Sequence, residues 1–390
     1  MSETKKKIVF ITTLNWETKR LVGFHKFAKF AAKNYETVFF SFPHPYYDIL
    51  KKKEQSNPKI FHALSRGKEY PLENGGKILN ITFPTFRLPF AIAKFLPRKF
   101  HLFLLSHGFK SFTKFAKKYF SNANYFIFQS CEGIVFFDTL KKIFPKAKMI
   151  YRSADPFVIS DWEYLKILEK NIILKSDKTI CVNEESVTAY KSAIPDFEKK
   201  VSFCIIPNGV DLDAYKKKYD CPLPLQHKKT ALYVGAVDIE WNLIFEASKK
   251  ISDANFVIVC PNYPNKKIAK EISKHINIFY IPGVKPNEVP AWISNCTVFI
   301  VPYKKNFQKK IPISLTAKHY QAMAAKKKIV SFCDSPAITK YGIRTTFYYH
   351  DFISEVREAL KNPHIEYAFN LDERNWNRIC EHFFKEIETV

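Results

Sequence analysis

The sequence predicts an α/β protein built as two halves, each around a mainly parallel sheet with helices on both faces. Three observations carry this. Apolar runs of strand length alternate with helix-length segments along the chain. The runs are continuous rather than every-other-residue apolar, as in strands buried on both sides. The alternation also breaks once, in a polar stretch containing prolines, and then starts again.

Taken in order, KIVFITTL reads as the first strand, LVGFHKFAKFAAK as a helix and TVFFSF as the next strand. YFIFQS, KMIYRS and TICV follow, each separated by a helix-length segment. After CIIPNGVDLDAY comes the polar KKKYDCPLPLQHKK, and then a second series: TALYVGAV, NFVIVC, NIFYIPG, TVFIVPY and KIVSFCD. We therefore expect a first domain over 1–205, a linker over 206–228 and a second domain over 229–372. The segment DERNWNRICEHFFKEIE patterns as a closing helix, over 373–390, with Trp376, Ile379, Phe383, Phe384 and Ile387 on one face.

The 390 residues are enough for two proper cores, and a hydrophobic share of 46% argues against global disorder. Sixty-two Lys and Arg against 37 Asp and Glu leave a net charge of +25, which implies a polyanionic partner. Eight cysteines form no CxxC and lie in apolar runs such as FVIVC, so buried free thiols are expected. MSETKKKIVFITTL lacks a small-x-small cleavage pattern and reads as a strand rather than a signal peptide. No apolar stretch approaches the ~20 residues of a membrane-spanning helix, so any membrane contact would be peripheral.

Ten glycines exclude several readings. The loop TTLNWETKR after the first strand carries no GxGxxG, and Gly75–Gly76–Lys77 lacks the upstream glycine of a phosphate-binding P-loop. Asp211 and Asp213 form a D-x-D that could ligate a metal, but after PNG they read as turn and helix-cap residues.

Residues 74–131 contain no Asp or Glu. Basic residues there (Lys94, Arg98, Lys99, Lys110, Lys114, Lys117 and Lys118 among them) interleave with phenylalanines. Such a pattern suits amphipathic helices with a solvated basic face. It equally suits a basic, aromatic surface lying on anionic headgroups, or a single-stranded nucleic-acid groove without a recognisable signature. The membrane surface is the expectation, with no nucleic acid.

IIPNGVDLDAY followed by LYVGAV, the loop IPGVKPNEVP, the strand VFIVPY and the run AMAAKKKIVSF together resemble a GT-B glycosyltransferase. That resemblance implies two Rossmann-like domains facing across a cleft. It also implies a nucleotide-sugar donor held mainly by the second domain and a final helix crossing back to the first. PNGVD is similar to the retaining family 4 enzymes, whose Glu-x7-Glu pair is missing: Gln321 and Ile313 stand in those places, and Lys326 where glycine is usual. The chain more closely resembles the GumK-type group, which is inverting, metal-independent and membrane-associated. Lys318 and Gln321 match its Lys-x-x-Gln, Tyr303 the tyrosine ending the preceding strand, and Asp155 the aspartate closing a first-domain strand.

The resemblance implies Asp155 as the base that takes the acceptor hydroxyl's proton, with Asp161 and Glu163 as nearby alternatives. Lys318 and the amides near Leu315, Thr316 and Ala317 would hold the donor's pyrophosphate without a metal. Gln321 would bind sugar or phosphate. Tyr303, Gly283, Val284 and Gly235 would serve the nucleotide, and Asn208–Gly209 an interdomain hinge. The expected function is transfer of a sugar, glucuronic acid by the resemblance, from a UDP-sugar to a lipid-linked glycan, for polysaccharide or cell-envelope biosynthesis, at the inner face of the cell membrane. The alternatives are a retaining hexosyltransferase of family 4 type and a non-catalytic binder of anionic glycolipid or nucleic acid.

Overall fold

The computed structural model describes residues 5–17, 23–46, 67–93, 95–160, 162–236, 239–304 and 314–390. The chain divides into two compact units, Met1–Pro207 together with Cys380–Val390, and Asn208–Ile379.

The first unit is built on an eight-stranded sheet in the order β3-β4-β2-β1-β5-β6-β7-β8. Its strands are β1 Lys7–Thr12, β2 Glu36–Pro45, β3 Lys68–Pro71, β4 Lys77–Thr85, β5 Ala123–Gln129, β6 Lys148–Ser153, β7 Lys178–Cys181 and β8 Phe203–Ile205. Only the β3–β4 pair is antiparallel. Ile8 to Ile11 and Phe126 to Phe128 have no exposed surface, as strands covered on both faces require. One layer of the core is phenylalanine: Phe40 packs on Phe42, Phe112, Phe115, Phe120 and Phe136.

The second unit is a wholly parallel six-stranded sheet in the order β11-β10-β9-β12-β13-β14. These strands are β9 Lys229–Val234, β10 Ala254–Val259, β11 Ile278–Ile281, β12 Val298–Val301, β13 Lys328–Ser331 and β14 Arg344–Thr345. The stretch read as a connector packs Val210, Leu212 and Leu225 into this unit's core. Asp213 pairs with Lys216 at 2.8 Å. Asp211 stands at the cap position of the helix Leu212–Lys216 but makes no cap hydrogen bond.

The closing helix Trp376–Glu388 buries Ile379, Phe383, Phe384 and Ile387, as its sequence pattern suggests. In the first unit Phe383 lies 4.3 Å from Phe27 and Phe384 5.4 Å from Phe30, ring to ring. Glu386 pairs with Lys178, and Tyr35 hydrogen-bonds Glu388. The segments by which the chain enters and leaves the second unit are neighbours. The Val210 amide donates to the Arg374 carbonyl at 2.7 Å, and Val210 bridges Asn375. Gly209 sits so close to Trp376 that a Cβ would fall 2.7 Å from its ring.

All eight cysteines are free thiols. Among the described residues no helix is long and apolar enough to cross a membrane.

Candidate active site

In open α/β sheets, ligands bind outside the carboxyl ends of the strands, where the strand order reverses. In the second unit β9 has β10 on one side and β12 on the other, so the reversal falls between the ends of β9 and β12. Gly235 follows β9, and Tyr303 follows β12 and bridges Ile239. Lys318 reaches this point from the helix Ala317–Ala324. Its Nζ donates to the Tyr303 hydroxyl at 2.6 Å and lies 4.7 Å from the Tyr303 ring centre and 5.6 Å from that of Tyr233. A hydroxyl and two aromatic faces therefore hold the ammonium in place. Gly235 has no room for a side chain: a Cβ would fall 2.6 Å from the Tyr233 hydroxyl and 3.0 Å from Lys318 Cε.

The start of that helix is set by a capping box. The Thr316 amide donates to His319 Nδ1 at 3.1 Å, which leaves the ring proton on Nε2, facing Ser331 Oγ at 3.2 Å. His319 is wholly buried, and burial with the Lys318 charge beside it pulls its pKa down to about 3, so it is neutral. The Thr316 amide, expected to cradle phosphate, is thus committed to His319. Ala317 is exposed, Leu315 half-buried against the core, and Gln321 half-buried one turn beyond Lys318.

Tyr303 is 2% exposed, so it offers Lys318 an anchor rather than offering a nucleotide base a stacking face. Gly283, at φ +84°, closes against Pro261, and Val284 beside it is half-buried. Asn262 Nδ2 donates to the Ala236 carbonyl at 2.6 Å, tying the loops that follow β10 and β9. The structure thus brings Lys318, Tyr303 and Gly235 into contact and places Gly283 and Val284 after β11 on the same sheet edge. Lys326, where the family 4 pattern has glycine, adopts φ +53°. Its amide bonds the Met323 carbonyl and that of Lys327 the Ala322 carbonyl, the usual helix-ending pair.

In the first unit Asp155 follows β6. Ser130 Oγ, at the end of β5, accepts from the amides of Ala154 and Asp155 at 2.9 and 3.0 Å. The Asp155 side chain reaches solvent, yet the protein packed around it raises its pKa above the ordinary carboxylate range, opposed by the Arg152 guanidinium. Arg152 is itself buried under Phe27, ring centre 5.0 Å away, and desolvation lowers its pKa to about 10. Glu163 pairs with Lys166. Asp161 lies outside the described residues.

The basic window splits in two. Phe112 and Phe120 enter the core, while Phe95, Phe100, Phe103 and Phe109 are 77%, 49%, 48% and 79% exposed. Arg98, Lys99, Lys110, Lys114, Lys117 and Lys118 are exposed around them, and Lys94 lies outside the described residues. The helix Arg98–Ser106 turns His101 and Leu105 inward instead, with the His101 ring 4.5 Å from that of Tyr164.

Sequence reasoning passed over Ser130, Tyr233, His319 and the buried Glu169. Thr316-x-x-His319 was a readable capping signal, and Glu169 a lone acid on the apolar stripe of EYLKILEKNIILK.

The fold is matched by solved structures over almost the whole chain. Sucrose-phosphate synthase from Thermosynechococcus elongatus superposes with a TM-score of 0.69 at 12% identity, covering 98% of this chain and 99% of its own. HepE from Anabaena, in complex with UDP and glucose, gives 0.68 at 11% identity, covering 99% and 100%. The UDP-forming α,α-trehalose-phosphate synthase from Burkholderia xenovorans, in complex with glucose-6-phosphate, gives 0.66 at 13% identity, covering 98% and 100%. No curated protein matches the sequence. The chain is a glycosyltransferase of GT-B fold. Residues 10–182 match the family described as glucuronosyltransferase GumK, N-terminal domain. That match spans the basic window and Asp155 and, with the fold of the solved neighbours, is consistent with a GumK-like GT-B group.

Proposed function

We propose that the protein is an inverting glycosyltransferase that needs no metal and moves a sugar, glucuronic acid, from a UDP-sugar to a lipid-linked glycan at an anionic membrane surface. The observation that carries this reading is the ammonium of Lys318, held at the strand-order reversal of the second unit by the Tyr303 hydroxyl. Departure of UDP concentrates negative charge on the β-phosphate, and a fixed cation there stabilises it without reorganisation. The amide end of the helix Ala317–Ala324 adds its partial positive charge. Asp155, whose carboxyl sits above the ordinary range, is suited to accept the acceptor hydroxyl's proton.

HepE and trehalose-phosphate synthase, the one solved with UDP and the other UDP-forming, support UDP as the nucleotide. The GumK-type first domain supports glucuronic acid as the sugar. Four exposed phenylalanines among exposed lysines support the membrane: each basic residue near an anionic surface contributes about 1 kcal/mol, enough in sum for reversible attachment. A retaining mechanism of family 4 type would need the two acids whose places Ile313 and Gln321 occupy.

The test is Asp155→Asn with UDP-glucuronic acid as donor. UDP affinity should be kept and transfer lost, and parent activity should survive chelator. Transfer at the parent rate in the variant refutes the base. Activity that vanishes with chelator and returns with magnesium refutes the cation role of Lys318.

A further inference from the structure

Beneath the Asp155 loop lies a polar cluster that the chemistry above does not use. Glu169, on the helix Glu163–Lys175, has no exposed surface. Its Oε1 accepts from the hydroxyls of Tyr151 at 2.5 Å and Tyr190 at 2.7 Å, and its Oε2 accepts from the Val158 amide at 2.7 Å. Tyr190 is also bonded to Ser153 Oγ. Val158 stands just past Asp155. On the other side of Asp155, Ser130 Oγ takes the amides of Ala154 and Asp155. The loop is gripped before the aspartate by a hydroxyl and after it by a buried carboxylate.

We propose that Glu169 is a positioning residue for Asp155: held by two tyrosine hydroxyls, its carboxylate fixes the Val158 amide and so sets where the Asp155 carboxyl stands. The inference rests on the reading of Asp155 as the base. A merely structural role would be better filled by an apolar residue, since the neighbours Leu165, Ile172 and Ile173 are buried and apolar and a buried carboxylate is costly.

Ionisation gives the clamp a signature. Burial raises Glu169 to about 7, opposed by its bonds to Tyr151, Tyr190 and the amides of Val158 and Phe157. The titratable groups facing it are Tyr151 from β6, Tyr190 from the helix Glu184–Ala193 and Cys181 from β7, all pushed upward by burial and by its charge. Those three stay neutral near pH 7, so Glu169 is the member of the cluster that changes charge there. As a carboxylate it grips the Val158 amide through a charge-assisted bond, and protonation turns one oxygen into a donor and weakens that grip.

The experiment uses the full chain and the variants Glu169→Gln and Ser130→Ala, with Asp155→Asn in parallel. Two readouts are followed across pH: turnover of UDP-glucuronic acid, and hydrogen exchange of the segment containing Val158. In the parent, kcat should fall as pH drops through about 7 while Val158 loses protection, its exchange at each pH being taken relative to the intrinsic rate at that pH. Glu169→Gln should lower kcat by about 10- to 100-fold with the donor KM nearly unchanged, as expected for a misplaced catalytic group, and should lose that pH limb. Ser130→Ala should lower kcat while keeping the limb. A folded Glu169→Gln whose Val158 exchange speeds up but whose kcat and pH profile match the parent overturns the inference. Parent-rate turnover in Asp155→Asn overturns the underlying base reading instead, and the exchange data tell the two failures apart.

Discussion

Lys318→Ala removes an ammonium whose position is fixed by the Tyr303 hydroxyl at 2.6 Å and by two tyrosine rings. If that ammonium meets the donor's diphosphate, the loss is that of a hydrogen bond to a charged group, about 1.5 to 3 kcal/mol. At about 1.4 kcal/mol per decade, kcat/KM should fall by roughly 10- to 150-fold. Tyr303→Phe keeps the ring under the cation and removes only the acceptor, so about 1 kcal/mol, near fivefold, is expected. Because Tyr303 acts through Lys318, the double variant should be no slower than Lys318→Ala alone, a non-additivity that a double-mutant cycle reads directly. Steady-state kinetics with UDP-glucuronic acid, together with calorimetric titration of UDP, measure all three variants. A Lys318→Ala variant within about twofold of the parent in both rate and UDP affinity refutes the assignment. Additive losses would show that Tyr303 acts on its own.

Raising Glu169 from its ordinary 4.5 to about 7 means the folded state favours its protonated form, on the order of 3 kcal/mol in all. Since the folded value lies above the unfolded one, this stability is present at acid pH and is lost as pH rises from about 4.5 through 7. Melting temperature should therefore fall across that window in the parent and flatten in Glu169→Gln; parallel curves would count against the shift. Replacing Phe100 and Phe103 with serine should weaken binding to vesicles rich in phosphatidylserine while leaving UDP affinity alone, as flotation can measure, and undiminished flotation would detach these rings from the lipid. Lys326→Gly should stabilise the second unit by roughly 0.5 to 1 kcal/mol, because glycine adopts φ +53° without the strain a lysine bears; chemical denaturation would show a lower midpoint if that strain is absent.

What could be read from the sequence was set by local pattern. Ile8 to Ile11 and Phe256 to Val259 are continuous apolar runs, and they became central strands. Lys318 and Tyr303, far apart in the chain, were matched only through a family motif, yet they are in contact. Where long-range packing decides, pattern fell short. The phenylalanines of the basic window divide, Phe112 and Phe120 entering the core while Phe100 and Phe103 stay at the surface and His101 and Leu105 turn inward, a division that no local spacing marks. Tyr303 looked like a stacking platform for a base; in the fold it is buried, and its hydroxyl and ring serve Lys318 instead. Thr316 offered an amide to a phosphate until His319, on the same turn, claimed it. Glu169 went unread because its partners come from β6, the loop after it and the helix Glu184–Ala193, and no spacing along the chain announces that meeting.

The paired backbone at Val210 and Asn375 bears on how such a chain can be rebuilt. Sequence between those points begins and ends side by side, whereas the final turns of Trp376–Glu388 contribute their phenylalanines to the other sheet's helices. The second unit is an insert in an otherwise continuous host. A cut at those neighbouring ends would separate the insert from its host, provided the host keeps its last eleven residues, Cys380–Val390.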